Sequence, residues 1–340
     1  MDTDADPSTK LAITSSRHRC SACHKQFKRK IHLVEHMKSS YHSTHQPKCG
    51  VCQKHCKSFE SLREHLSGPL SKEDCSRIFS DRGCGLCLKV YDNPISLSKH
   101  TEICCLSAPV SYAEKISLCR ELLTGTKSVE GYTGKASDAI AIDCVTVGCG
   151  GDQLLAICAR VCLVDEQENI VFHAYVQPAL SVTDYRYHVT GLTAENLRDA
   201  MPKSEVLIKI KEILYNGGKT KFLVGHGLER DLRSLNMDYP AQFSRDISKY
   251  RPLKKTNLVS HSLNYDIQTG FLDPYEDCVA MMRLYKRMRS QDHQQIRIQN
   301  TSSGLESRTL EELENMTPDE LYHISEPDYR CWCLDSANTG

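Results

Sequence analysis

With 43 Lys and Arg against 43 Asp and Glu, the 340-residue chain has a formal net charge of zero. No overall field draws it to polyanions or a membrane surface, and its length allows one sizeable domain with a smaller companion. The balance is uneven: residues 1–105 hold 17 basic and 11 acidic side chains, so a mildly basic front precedes a mildly acidic body.

The same front holds 10 of the 18 Cys and 9 of the 15 His. The acidic opening, M-D-T-D-A-D-P, lacks the apolar stretch of a secretory signal, and residues 1–17 read as disordered. The most apolar run, residues 154–164, contains Arg160 and falls short of a membrane span. In the reducing, intracellular setting this implies, paired Cys and His point to zinc rather than to disulfides.

Residues 18–105 repeat one pattern three times (18–45, 47–75 and 82–105). Cys20-x2-Cys23 is followed after twelve residues by His36 and then by His42. Cys49-x2-Cys52 has His65 at the same offset; Cys84-x2-Cys87 has His100, then Cys104 and Cys105. An aromatic or small apolar residue follows the second Cys by four (Phe27, Cys56, Tyr91), and a Leu comes six later (Leu33, Leu62, Leu97). These are the ligand and core positions of a C2H2 zinc finger, a Cys hairpin followed by a helix carrying His. The first repeat has four ligands, and the third closes with Cys104 or Cys105. The second lacks its fourth; His55, Cys56 or Cys75 completes it only with irregular geometry. Connectors of unequal length argue against tracking a DNA groove. RNA or protein contact is expected instead, or loose phosphate binding through Lys25, Lys28, Arg29 and Lys30.

Residues 106–136 read as a linker with a helix over 112–123. From 138 the pattern changes. D-A-I-A-I-D-C-V-T-V-G is a strand buried on both faces around one acid, Asp143. A carboxylate there is costly unless its charge is paired, and a metal ion is one such partner. Residues 154–165 and 170–177 alternate as an antiparallel meander with it. A helix over 203–215, a buried strand over 221–225 delivering His226 and Asp231, and a helix over 275–288 carrying Asp277 complete residues 137–290. Met281, Met282, Leu284, Tyr285 and Met288 form that helix's core face. Arg283, Lys286, Arg287 and Arg289 are expected to be solvated or on phosphate. The polar run after Arg289 makes residues 291–340 largely disordered, apart from a short helix at 310–315 and a helix start at Thr317 and Pro318. Cys331 and Cys333 could bind a metal, but two such ligands in a tail are more often inert.

The segments A-I-D-C-V-T-V-G, A-R-V-C-L-V, V-T-D-Y-R, T-G-L-T, L-V-G-H, R-D-I-S-K-Y and D-P-Y-E-D-C-V-A-M-M-R-L-Y resemble, in order and spacing, the DEDDh family of 3′-5′ exonucleases. The eukaryotic RNA exonuclease group, in its plant form with C2H2 fingers in front, is the most similar. The resemblance implies an α/β, RNase H-like exonuclease domain: a mixed sheet flanked by helices, preceded by small zinc-stabilised finger units. It also implies two Mg²⁺ or Mn²⁺ ions held by four carboxylates, a His that takes a proton from water, a substrate of RNA or single-stranded DNA, and a nuclear or otherwise cytoplasmic location. Carried over by position, Asp143, Asp231 and Asp277 are the catalytic acids, and His226 is a packing or hydrogen-bonding residue.

Two positions depart from the family pattern. Its D-x-E reads Asp143-Cys144-Val145, and the His five before the last Asp is Leu272. The chain before Leu272 is also some ten residues short. Asp273, Glu276 and Glu229 are the carboxylates near enough in sequence to stand in. Two expectations follow: an RNA exonuclease of impaired activity, or a binder of nucleic acid or partner proteins that does not cut.

Overall fold

The computed structural model describes residues 17–104, 106–107, 138–150, 155–253, 271–290, 305–326 and 328–338. The linker from residue 108 on with its expected helix, Cys105, the opening sixteen residues and the shortened stretch before Phe271 lie outside the described residues. The chain divides into two units, one of residues 1–56 and 293–328, the other of residues 57–292 and 329–340.

In the first unit, β1 (His18–Arg19) pairs antiparallel with β2 (Gln26–Phe27) and leads into α1 (Lys30–Ser40). This is the expected hairpin and helix of the first repeat. Leu33, Val34 and Met37 are buried on the helix with Cys20 and Ala22. The same core takes in Leu305, Leu313 and Leu321 from the tail. There the short helix expected at 310–315 is present, and the expected start at Thr317 and Pro318 opens a second, Pro318–His323; the correction to a largely disordered tail is that this segment packs into a core. Each is fixed by a capping box, Thr309 with Glu312 and Thr317 with Glu320, so the orphan amides at the start of each short element are satisfied before any packing.

The second unit starts with α2 (Phe59–Ser67), α3 (Glu73–Arg82) and α4 (Pro94–Glu102). Its centre is a sheet built on β3 (Ala139–Cys149), with β4 (Leu155–Asp165), β5 (Ile170–Gln177), β6 (Val182–Asp184), β7 (Met201–Pro202), β8 (Phe222–Gly225) and β9 (Ser244–Asp246). The order is β7-β5-β4-β3-β8-β9, with β6 on β3. β3, β4 and β5 form the expected antiparallel meander, whereas β8 lies parallel to β3 and to β9. The sheet is therefore mixed. α5 (Tyr187–Thr190), α6 (Lys203–Leu214), α7 (Leu228–Leu235) and α8 (Pro274–Arg289) surround it.

Alternation along β3 separates two layers. Ile140 and Ile142 join Val161, Leu163 and the apolar faces of α6 and α7 (Val206, Ile210, Leu228, Leu235). α8 packs against β3, β4 and β8 with Cys278, Val279, Met282 and Tyr285 fully covered. The core face expected on α8 is as read. Its cations are not, because the β4–β5 turn lies alongside. Arg283 grips Glu168 at 2.8 and 2.7 Å, Arg289 pairs with Glu166, Lys286 donates to the Glu166 carbonyl, and Arg287 donates to the Cys87 carbonyl.

The last segment also departs from disorder. Residues 332–338 form a 3₁₀ turn. Asp335, buried, takes two hydrogen bonds from Arg245 (2.7 and 2.6 Å) and one from the Tyr285 hydroxyl (3.1 Å). Trp332 stacks on Tyr250 with ring centroids 3.9 Å apart. No helix among the described residues is long and apolar enough to cross a membrane.

Candidate active site and metal centres

Three elements bring the expected acids into one electrostatic neighbourhood. Asp143 lies midway along β3, opposite Cys162 of β4. Asp231 is carried by α7, whose entry is fixed by two glycines. Gly225 ends β8 where an added Cβ would meet Leu228 at 2.4 Å, and Gly227 turns the chain at φ +70°. The Gly227 amide donates to Asp246 Oδ1 at 2.9 Å, so β9 holds this turn in place. Asp277 sits in the first turn of α8.

The three carboxyls behave as a group. Burial, and then the charge of Asp231, pushes Asp143 up to about 7. Asp231 rises to about 7, first through burial and then through Asp246 and Asp277. Asp277 reaches about 8 through burial, Asp143, Glu276 and Asp273. Like charges confined in a poorly solvated cleft raise one another's affinity for protons. Asp231 Oδ2 is buried with no hydrogen-bond partner among the described residues. Carboxylate oxygens in this state fit a divalent cation, which prefers such hard ligands. Arg230 offsets part of the repulsion on Asp143 and Asp231, and Arg160 part of that on Asp143. Sequence reading singled out neither arginine as a site residue; the only signal was a cation, Arg160, inside an apolar strand.

The two departures from the family pattern meet in space. Val145 is buried at 2% exposure in an apolar cluster with Val147, Cys149, Ala159 and Leu192, and Leu272 packs against that same cluster. Cys144 points the other way, into the layer under α6 and α7. Of the stand-in acids, Asp273 caps α8 by accepting from the Tyr275 amide (3.1 Å) and pairs with Arg160 at 3.5 Å. Glu229 is exposed and bound to Arg233 (2.6 Å) and Lys249 (3.6 Å). Glu276 and, more weakly, Asp273 act on Asp277. His226 is half-buried; burial lowers its proton affinity, and Asp246 raises it.

The Cys and His repeats form tighter groups. In the first unit, ligand atoms of Cys20, Cys23, His36 and His42 all lie within 4.8 Å of one another. His36 Nε2 is 3.2 Å from both Cys23 Sγ and His42 Nε2. The outer ring nitrogens are engaged, His36 Nδ1 with Ser40 Oγ (3.0 Å) and His42 Nδ1 with Gln46 Oε1 (3.1 Å), which sets the ring orientations a metal needs. In the second unit, Cys84, Cys87, His100 and Cys104 meet the same 4.8 Å limit. Cys104 is thus the closing residue of the third repeat. Each half of the second repeat is formed within its own unit: Cys49 with Cys52 in the first, and His65 on α2 with Cys75 on α3 in the second. Both four-residue groups can hold a metal ion. Cys331 is buried, with its Sγ 3.6 Å from the Tyr250 hydroxyl.

A model of the exonuclease family (RNase_T) matches residues 140–293. RNA exonuclease 4 of Xenopus laevis is 36% identical over 174 residues, covering 48% of this chain and 39% of the frog protein. RNA exonuclease 4 of Candida glabrata is 32% identical over 182 residues, covering 49% of this chain and 68% of the yeast protein. The chain thus spans about two fifths of the frog relative's length. Among solved structures, the Pan2 catalytic unit of Neurospora crassa is similar over 47% of this chain and 28% of that one, at 22% identity and a TM-score of 0.40.

Proposed function

The chain belongs to the RNase_T exonuclease family, within the DEDDh class with its RNase H-like fold, and from that premise we propose that it removes nucleotides from RNA 3′ ends. Single-stranded DNA is the other substrate the class admits. The observation that carries the reading is the mutually repelling trio of Asp143, Asp231 and Asp277 with its orphaned Asp231 oxygen. Those side chains would hold Mg²⁺ or Mn²⁺. A bound divalent ion supplies activation of water and stabilisation of the departing oxygen. The protein's own part is to exclude bulk water from the trio and keep Arg160 and Arg230 beside it. Leu272 offers no proton acceptor, and a missing general base lowers the rate by about 10²–10⁴-fold. A slow enzyme is therefore expected. Incubating 5′-labelled RNA with the full chain and Mn²⁺ tests this: stepwise shortening from the 3′ end that Asp143→Ala abolishes supports it, and intact RNA in both samples counts against it.

One observation favours a second reading, a protein that holds nucleic-acid ends or a partner without cutting. Val145 and Leu272 share an apolar cluster, so the positions of the family's Glu and His have become hydrophobic core together. Retention of 3′-ended RNA with no shortening is its signature. In the front, zinc is assigned to Cys20, Cys23, His36 and His42, and to Cys84, Cys87, His100 and Cys104, as their soft ligands suit it. Cys49, Cys52 and His65 are zinc ligands on their spacing. These fingers contact nucleic acid or protein, and residence in the nucleus follows from the family resemblance.

A further inference from the structure

The third Cys and His group lies in the same unit as the exonuclease sheet. Its helix, α4, buries none of its nine residues. A helix that sends no apolar face into a core depends on its ligands to hold it. Here the Cys87 sulfur lies 3.3 Å from His100 Nε2, and the Cys84 and Cys104 sulfurs lie 3.9 Å apart. A bound ion would set the shape of this segment, as in small zinc folds that are unstructured without their metal. Nor does α4 offer much to a phosphate. Its one lysine, Lys99, is followed by Glu102, and His100 belongs to the ligand group.

The inner side of the segment meets two cations of α8. Arg287 donates to the carbonyl of Cys87, and its guanidinium lies over the Phe59 ring, 4.1 Å from the centroid. Phe59 opens α2 and is buried there with Leu62 and Leu66. Arg63 of the same helix donates to the Gly85 carbonyl at 2.9 Å, between the paired cysteines. Arg283 donates to the Ser107 carbonyl at 2.7 Å, and the Ser107 amide in turn donates to the carbonyl of Cys104 at 3.0 Å. Leu106, between them, is fully buried. The acceptors are thus backbone oxygens at or beside ligand residues, so their positions follow from coordination. A half-buried guanidinium set on an aromatic face is favourable while its acceptor is in place, and withdrawal of that acceptor is unfavourable.

We infer that the metal at Cys84, Cys87, His100 and Cys104 is a fold-holding centre of the exonuclease unit: it presents the Cys87 and Ser107 carbonyls to Arg287 and Arg283 and so fixes the C-terminal half of α8, the helix whose first turn carries Asp277. The inference rests on the reading of those four residues as a zinc site, and it is independent of whether the aspartate trio cuts RNA.

Trp332, the single Trp of the chain, belongs to this unit and lies 5.5 Å from the Tyr285 ring of α8, so its emission reports on the unit alone. The test is thermal unfolding of the full chain followed by that emission, with zinc content measured in parallel. Cys87→Ser is expected to lose one equivalent of zinc and to lower the transition by about 5 °C, whereas Cys23→Ser, in the other unit, should lose one equivalent and move it by less than about 1 °C. Arg287→Gln should keep all its zinc and still lower the transition. Because the metal acts through that arginine, Cys87→Ser combined with Arg287→Gln is expected to cost less than the two losses added. Should Cys87→Ser not fold, hydrogen exchange of the unmodified chain before and after zinc withdrawal takes its place, with about tenfold faster exchange expected in residues 284–289 and none in β3. A lost equivalent with an unmoved transition overturns the inference alone, as do an equal loss from Cys23→Ser, strict additivity in the double variant, or unaltered exchange in 284–289. Full zinc content in Cys87→Ser overturns the zinc reading of the group, and the inference with it.

Discussion

If the aspartate trio is held together for a cation, then without one it is a strain on the fold, and neutralising one member should stabilise the protein. Asp231 is the clearest choice, at 4% exposure and with its carboxyl pushed up from 3.8 to about 7. Every tenfold gain in a carboxyl's affinity for its proton corresponds to about 1.4 kcal/mol. A roughly thousandfold gain therefore amounts to about 4 kcal/mol if Asp231 bore it all, and about half that if the coupled trio shares it. Linkage fixes the sign. The folded carboxyl binds its proton more tightly than the unfolded one, so there is no penalty below about pH 4. It grows as pH rises through neutrality and is complete above the folded value. Asp231→Asn removes it. At pH 8 with no added divalent ion the variant should melt higher than the parent by about 5–10 °C, at roughly 2–4 °C per kcal/mol for a domain of this size, while at pH 4 the two should coincide. Mn²⁺ should raise the melting temperature of the parent, by about 2.7 kcal/mol of stability at a hundredfold excess over Kd, and leave the variant unmoved. Differential scanning fluorimetry of the full chain, without chelators so that the fingers keep their metal, gives both readings. A variant less stable than the parent at pH 8, or an equal Mn²⁺ shift in both, would refute the reasoning.

Restoring the family residues together, Val145→Glu with Leu272→His, should raise the rate of RNA shortening by at least about 10², measured on labelled RNA with Mn²⁺; an unchanged rate would mean that the trio is not placed for catalysis. Asp335→Ala strands the buried Arg245 guanidinium, a loss of about 3–5 kcal/mol, and should shift Trp332 emission to the red as the C-terminal segment lifts away; unchanged emission would argue against that anchor. Cys23→Ser and Cys87→Ser should each lower bound zinc by one equivalent, read by elemental analysis of the purified chain, and full metal content in either variant would remove that group as a zinc site.

The elements that sequence made legible are those whose periodicity is enforced by burial on two sides. β3, β4 and β5 fall within about a residue of the expected runs, and the core face of α8 is as read, because each buries a continuous apolar pattern. What composition obscured was the packing of the tail. The helix at 310–315 and the start at Thr317 and Pro318 were legible, but their polar stretch did not show that Leu305, Leu313 and Leu321 are buried with Leu33, Val34 and Met37. The cations of α8 were misjudged because nothing in their own stretch announces Glu166 and Glu168, more than a hundred residues earlier. At the site, position in a motif located Asp143, Asp231 and Asp277, but not that Val145 and Leu272 share one apolar cluster, a fact of tertiary packing alone. Nor did proximity in sequence reveal that Asp273 is already committed to capping α8 and pairing with Arg160.

Cation binding by the trio is the claim on which the rest stands, and calorimetric titration of Mn²⁺ into the full chain at pH 8 measures it without reference to turnover. The expected result is saturable uptake that Asp143→Ala or Asp277→Ala eliminates while the zinc content is unchanged. Uptake of the same size in those variants, or none in the parent at millimolar Mn²⁺, would contradict it.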